Sequence, residues 1–324
     1  MKNPWKTQTK KPIFILAPME AVTDTVFRHV AKQAAAPDIF FTEFVSTDGY
    51  ASEKGRHSTK SRLLFTNDEQ PIIAQIWGNK PENFSLMAKD LAKMGYTGID
   101  INMGCPDKAV VRQGSGSGLI HNNELSAEII AATKQGGLPV SVKTRLGNIQ
   151  ANEWQSWLSH LLQQDITNLT IHLRSRKEMS KVPAHYEMIP EIIKMRNEIA
   201  PQTLITINGD IKNYQHGMEL YQKYHVDGIM IGRGIFENPF AFSEYTNKPT
   251  KERLLELFFL HLKLHDEISL TDGPRKYDPL KRFFKIYIKD FPGASGLRHK
   301  LMQSKSTVEA CEIVNDFLNQ ERGN

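Results

Sequence analysis

Apolar residues fall in short β-rich runs through residue 234, and a longer, helix-periodic stretch separates most of them from the next. Eight such runs stand out: IFILAPM (13–19), IFFTEFV (39–45), IIAQIWG (72–78), GIDINMG (98–104), PVSVKTR (139–145), NLTIHLR (168–174), TLITING (203–209) and DGIMIGRG (227–234). ENFSLMAKDLAKMG and ELSAEIIAATKQGG are typical of the stretches between them. Nearly continuous apolar strands alternating with helices imply a parallel sheet covered on both faces. Eight units in about 235 residues match a (β/α)8 TIM barrel in size and count. A doubly wound sheet is the alternative, but its first strand would normally open a glycine-rich dinucleotide turn, and here that strand ends in APMEAVTD. Beyond about residue 245 the β-rich runs stop. ERLLELFFLHLKLHDEI, DPLKRFFKIYIKD and TVEACEIVNDFLNQ are helix-periodic, punctuated by Gly273–Pro274 and Pro292–Gly293. The expected organisation is a barrel over 1–244 and a small all-helical domain over 245–324.

Composition narrows the class. The 324 residues are 40% apolar and 24% charged, ordinary for a globular protein. The absence of any apolar run of about eighteen residues excludes a membrane span. The opening MKNPWKTQTKKP is basic without an apolar segment to follow, so it reads as a solvated, frayed N-terminus rather than a secretory signal. The two cysteines, Cys105 and Cys311, give neither a disulfide framework nor a zinc spacing and fit a reducing cytoplasm. The net charge of +5 is modest, so the placement of the cations matters more than their number.

Barrel chemistry gathers at the C-terminal strand ends. Here those ends read Pro18–Met19, Glu43, Gln75, Asn102 with Cys105, Lys143 with Arg145, His172 with Arg174, Asn208-Gly209-Asp210, and Gly232-Arg233. Singly, each has an ordinary explanation: Lys143 as a rim ion pair with Glu43 or Asp100, His172 as a hydrogen-bonded core histidine, Cys105 as an inert buried thiol. Together they crowd one rim with hydrogen-bonding groups. The stretch 98–120 is the most distinctive. It delivers Asn102 and Cys105 past a strand that Pro106 stops, and Gly114, Gly116 and Gly118 let the following loop approach closely. Glycines and a cation after the last two strands suit a phosphate, although they would also serve as plain turn residues.

These motifs, APMEAVTDTVFR (17–28), TEF (42–44), AQIWG (74–78), INMGCPDKAVVRQGSGSGLI (101–120), VKTRLG (142–147), IHLRSR (171–176), NGDI (208–211) and GRGIFENP (232–239), resemble in kind and order those of the tRNA-dihydrouridine synthases. The resemblance implies an FMN enzyme that reduces uridine in tRNA with NADPH or NADH as the electron source. It implies FMN contacts at Pro18, Met19, Gln75, Lys143 and His172, with Asn208, Asp210, Gly232 and Arg233 at the phosphate end. Cys105 would be the proton donor, with Asn102 and Arg174 on the substrate. Ala21 and Leu173 stand where the family usually has glycine, Leu173 adding bulk beside the expected flavin edge, and Tyr186 stands for a common tryptophan. Between 275 and 305 nine Lys and Arg residues face two Asp. Lys281, Arg282, Lys285 and Lys289, with Phe283, Phe284 and Tyr287 interleaved, are the expected tRNA surface. The competing readings are an FMN barrel dehydrogenase acting on a free pyrimidine and a non-catalytic RNA-binding barrel.

Overall fold

A computed structural model of the chain describes residues 3–8 and 10–323. Its strands are β1 (Ile13–Leu16), β2 (Phe40–Phe41), β3 (Val45–Ser46), β4 (Ile72–Trp77), β5 (Gly98–Met103), β6 (Val140–Arg145), β7 (Asn168–His172), β8 (Leu204–Asn208) and β9 (Gly228–Ile231). All pair in parallel in the order β1-β9-β8-β7-β6-β5-β4-β2, with β3 also on β4. A parallel bridge between Ile15 and Ile39 brings the two edges together and nearly closes the barrel. Each of the eight apolar runs contains a strand. The second is split into β2 and β3, and the break falls at Glu43.

Contacts divide the chain into two compact units: residues up to Thr25 with Pro37–Gly232, and Val26–Ala36 with the chain from Arg233 onward. The helix after the first strand, α1 (Thr25–Ala35), thus falls almost wholly in the second unit, as do residues 233–244. The reason is aromatic: Phe27 on α1 stacks on Phe283 at 5.2 Å between ring centres and lies 6.1 Å from His261. No periodicity within α1 itself signals that choice.

In the first unit the barrel is flanked by α2 (Pro81–Lys93), α3 (Asn123–Lys134), α4 (Trp154–Leu162), α5 (Ile189–Ile199) and α6 (Tyr214–Tyr224). Register and strand alternation decide what faces inward. On β1, β2 and β9 the inward residues are apolar, and Ile13, Ile15, Ile39, Phe41 and Met230 join Ile73 and Trp5 in one core cluster. Trp5, on the turn of helix Pro4–Thr7, is only 1% exposed. The expected frayed N-terminus is therefore wrong over these residues, because the indole is worth burying and Asn3 caps the helix through its side chain at 3.1 Å. On β4 to β8 the inward rows are polar. One aligns Gln75, Asp100, Ser141 and Asn168; the next aligns Asn102, Lys143, Thr170 and Thr206; the third carries Arg145, His172 and Asn208. Half the barrel lumen is thus a hydrophobic core and half a stack of hydrogen-bonding groups.

The second unit is built on α7 (Lys251–Thr271), α8 (Ala294–Gln303) and α9 (Thr307–Gly323). Its core includes Phe258, Phe283, Phe284 and Tyr287, all buried, with His261 Nδ1 and the Tyr287 hydroxyl 2.8 Å apart. Among the described residues no helix is long and apolar enough to cross a membrane.

Candidate active site

The polar rows of the barrel form a directional chain. Asp100, wholly buried, accepts from Ser141 Oγ at 2.6 Å and from Gln75 Nε2 at 2.7 Å. That leaves Gln75 Oε1 to accept from Asn102 Nδ2 at 3.1 Å. Asn102 Oδ1 then accepts the backbone N–H of Gly104 at 3.1 Å and of Cys105 at 3.0 Å. An ionised carboxylate is acceptor-only, so it sets which way each amide points, down to the backbone of Cys105. Burial raises the Asp100 pKa to about 6, while its hydrogen bonds and Lys143 oppose the rise, so it is largely ionised at neutral pH. Sequence reasoning took Asp100 only as a possible ion-pair partner and missed this role.

Beyond Cys105 the chain doubles back. Ser117 donates to the Cys105 carbonyl from its backbone N–H at 3.0 Å and from its hydroxyl at 2.8 Å. This return requires Gly116, whose φ is +57° and where a Cβ would sit 2.8 Å from Val110 Cγ1 and 3.0 Å from the Cys105 carbonyl oxygen. Asp107 caps the short helix Lys108–Arg112 through Ala109 and Val110. Burial pushes the half-buried Cys105 thiol above its ordinary pKa, so it holds its proton at neutral pH.

The side chain of Lys143, in register with Asn102, makes no hydrogen bond or ion pair to another described residue. Burial and the neighbouring Arg145 lower its pKa to about 8, with Asp100 opposing. The ordinary reading, a rim ion pair with Glu43 or Asp100, is therefore not what the structure contains. Arg145 is spoken for by backbone: it donates to the Gly104 carbonyl at 2.8 Å, Ser175 at 3.2 Å and Met179 at 3.0 Å. It ties the Cys105 loop to the loop after β7. Glu43 accepts the Ala21 N–H at 2.5 Å, where Ala21 stands at a φ of +55°. Burial first, then Asp24, raises the Glu43 pKa to about 7.

The ends of β7 and β8 form a second group. Arg174 is buried and donates to the Val182 carbonyl at 2.6 Å, lies 3.1 Å from His172 Nε2, and pairs with Asp210. Asp210 also accepts the Ala184 N–H at 3.0 Å, and Asn208 donates to the Met230 carbonyl at 2.8 Å. Tyr186 donates to the Gly209 carbonyl at 2.5 Å. Leu173, just past the end of β7, is wholly buried, so its bulk is packed within the protein and not exposed at the mouth. Met19 closes a turn with Thr23, its N–H 2.9 Å from the Thr23 hydroxyl, and presents Pro18 and Met19 half-exposed after β1. Gly232, half-exposed, follows β9. Arg233 is next in the chain and counts with the second unit, where it precedes the short helix Gly234–Glu237.

A cavity of about 670 Å³ opens over Cys105. Phe44, Ser46, Trp77, Asp107 and Val110 line it on the strand side, and Ser58, Thr59 and Arg62 come from the helical insertion that follows β3. In the second unit the proposed RNA cations divide. Lys281 pairs with Asp278 at 2.9 Å and lies 5.4 Å over the Tyr277 ring, and Arg282 donates to the Pro279 carbonyl at 3.0 Å. Lys285 is exposed. The interleaved Phe283, Phe284 and Tyr287 are core residues rather than a stacking surface, because the segment is a 3-10 turn running into one helical turn whose apolar side is covered.

The mouth of this (β/α)8 barrel thus gathers a protonated thiol, an amide chain and an ammonium that forms no ion pair with a described residue, the groups of an enzyme's active site. The chain belongs to the dihydrouridine synthase family, whose model matches residues 15–321. It is 56% identical over 316 residues to the probable tRNA-dihydrouridine synthase 2 of Bacillus subtilis strain 168, covering 98% of this chain and 97% of that protein. It is 54% identical over 317 residues to the probable tRNA-dihydrouridine synthase of Staphylococcus aureus strain COL, covering 98% and 96%. Among solved structures, morphinone reductase matches with a TM-score of 0.50 at 10% identity, covering 70% of this chain and 83% of that one. A 2-naphthoyl-CoA reductase complex matches at 0.52 and 8% identity, covering 70% and 49%. These two likenesses are of fold alone.

Proposed function

We propose that the protein reduces uridine in tRNA to 5,6-dihydrouridine, with FMN in the barrel mouth and a nicotinamide cofactor as reductant. The observation that carries this reading is the placement of Lys143 beside Cys105: an ammonium that forms no ion pair with a described residue and feels Asp100 only at a distance, next to a thiol that keeps its proton. An ammonium held at a barrel mouth at a cost in solvation fits a group that becomes anionic when reduced. Gln75 retains one donor and one acceptor site for a ring edge and Asn102 one donor, since the Asn102 oxygen already accepts twice. Pro18 and Met19 offer backbone, and His172 stands one strand from Lys143. Asn208, Asp210 and Gly232 remain the proposed phosphate end, with Asp210 acting through Arg174 and Ala184 rather than by offering its own charge to an anion.

Bound there, FMN would supply a hydride to one carbon of the uracil 5,6 double bond. Cys105 Sγ–H gives a proton to the other carbon, so the base gains two hydrogens in all. Asn102 holds the Cys105 backbone and keeps the thiol aimed. Because a base inside folded RNA is stacked, the target uridine must swing out into the cavity over Cys105. The second unit supplies cations for the tRNA backbone.

The test is Cys105→Ala in flavin-loaded protein. Reduction of the flavin by NADPH is expected to persist while dihydrouridine formation on tRNA collapses; normal product formation would remove Cys105 from the chemistry. Purified protein that is colourless and takes up no FMN would sink the whole reading. Equal turnover of free uridine and tRNA would favour a small-molecule dehydrogenase.

A further inference from the structure

The cavity over Cys105 has the volume of a site enclosing a drug-sized ligand, more than a single pyrimidine ring needs to reach a thiol. Its walls are also of two kinds. On β4, Gln75 faces the lumen and enters the amide chain, so strand alternation puts Trp77 on the same side and nearer the mouth. Trp77 is partly exposed in the cavity, and its indole N–H makes no hydrogen bond to a described residue. Facing this aromatic wall is the insertion after β3. Glu20 holds Arg62 there in a two-pronged ion pair at 2.7 and 2.5 Å, so the guanidinium is set in place rather than mobile. Exposed Lys54, His57 and Lys60 continue the insertion outward. An aromatic platform beside a basic strip is the arrangement that holds single-stranded nucleic acid: bases stack on the ring and phosphates follow the cations.

We propose that this cleft seats two consecutive nucleotides of the RNA, the reacting uridine against Cys105 and a neighbour whose base stacks on Trp77, with their shared backbone along the exposed Lys54, His57 and Lys60 of the insertion while Arg62 stays in its pair with Glu20. The inference rests on the proposed function and adds a subsite that reads the neighbouring position. Discrimination among uridines then comes partly from whether an adjacent base is free to leave its own stack together with the target. Trp77 is a specificity-determining contact in this scheme and takes no part in the proton transfer.

The experiment compares wild type, Trp77→Ala and Trp77→Phe on three transcripts of a tRNA that the wild type modifies, one intact and two abasic, at the nucleotide before or at the nucleotide after the target uridine. For the intact transcript, Trp77→Ala is expected to raise KM roughly tenfold, in line with the loss of one base stack, and Trp77→Phe to recover most of it. One of the two abasic transcripts should cost the wild type about as much, and cost Trp77→Ala nothing further. Unchanged KM in Trp77→Ala, losses that multiply between variant and abasic site, or a rise in KM for NADPH instead of RNA would each overturn the subsite while leaving the function intact. No dihydrouridine from the wild type on any tRNA would overturn the function and the subsite together. If Trp77→Ala fails to fold, Trp77→Phe and the two abasic transcripts still decide the matter: wild type indifferent to both abasic positions refutes it.

Discussion

A carboxylate that only accepts hydrogen bonds, buried between Ser141 and Gln75, leaves the Gln75 amide one orientation and passes that choice to Asn102 and the Cys105 backbone. Asp100 therefore acts on the thiol from a distance, as a positioning residue. Removing it as Asp100→Ala leaves the Gln75 amide without its acceptor and free to turn, at a cost of about 1–3 kcal/mol for an unsatisfied buried donor. Asp100→Asn should be milder, because the new amide donor has the Ser141 hydroxyl to face while its oxygen still accepts from Gln75. The expected order of kcat for dihydrouridine formation is wild type, then Asp100→Asn, then Asp100→Ala, the last lower by roughly tenfold or more. KM for tRNA should move less than kcat. Equal kcat in all three would show that the chain of amides does not control Cys105.

The eight strands, their order along the sequence and most rim residues were legible because buried parallel strands leave an unmistakable apolar signature and polar residues punctuate their ends. What was not legible depends on contacts between distant elements. The break between β2 and β3 exists because Glu43 turns inward to hold the Ala21 N–H, and nothing local distinguishes TEF from continuous strand. Trp5 in the core, the transfer of α1 to the second unit and the complete burial of Leu173 are likewise decided by partners far along the chain. Glu43 gives that break a pH signature. A carboxyl raised from 4.5 to about 7 in the fold binds more protons folded than unfolded, so stability falls as pH rises between those values and stays low above. The cost at pH 8 is at most roughly 3 kcal/mol. Glu43→Gln keeps the acceptor for Ala21 without the charge. Its urea midpoint should match the wild type near pH 4.5, exceed it at pH 8, and vary less across the window; a parallel decline in both proteins would place the titrating group elsewhere.

For the molecule as a whole, affinity for a polyanion depends on how many cations are still available to phosphates, and the second unit shows that the count in the sequence overstates it. Lys281 is already committed to Asp278 and the Tyr277 ring, Lys289 is half-buried against the Glu237 carbonyl, and Arg298 donates to the Ile288 carbonyl at 2.6 Å. Lys285, Lys300 and Lys305 are exposed, and none of them forms an ion pair with a described residue. An ammonium held by a carboxylate gains less from a phosphate than one in water, since the existing pair must first be given up. Each phosphate contact contributes roughly 0.7–0.9 to the slope of log affinity against log salt. Changing Lys285, Lys300 and Lys305 together to Gln should therefore flatten the salt dependence of tRNA binding by about 2, equally for every tRNA tested, because backbone contacts carry no sequence information. Lys281→Gln should change the slope by well under one contact. Filter binding from 50 to 300 mM salt measures both, and the assignment fails if Lys281→Gln flattens the slope more than the triple variant does.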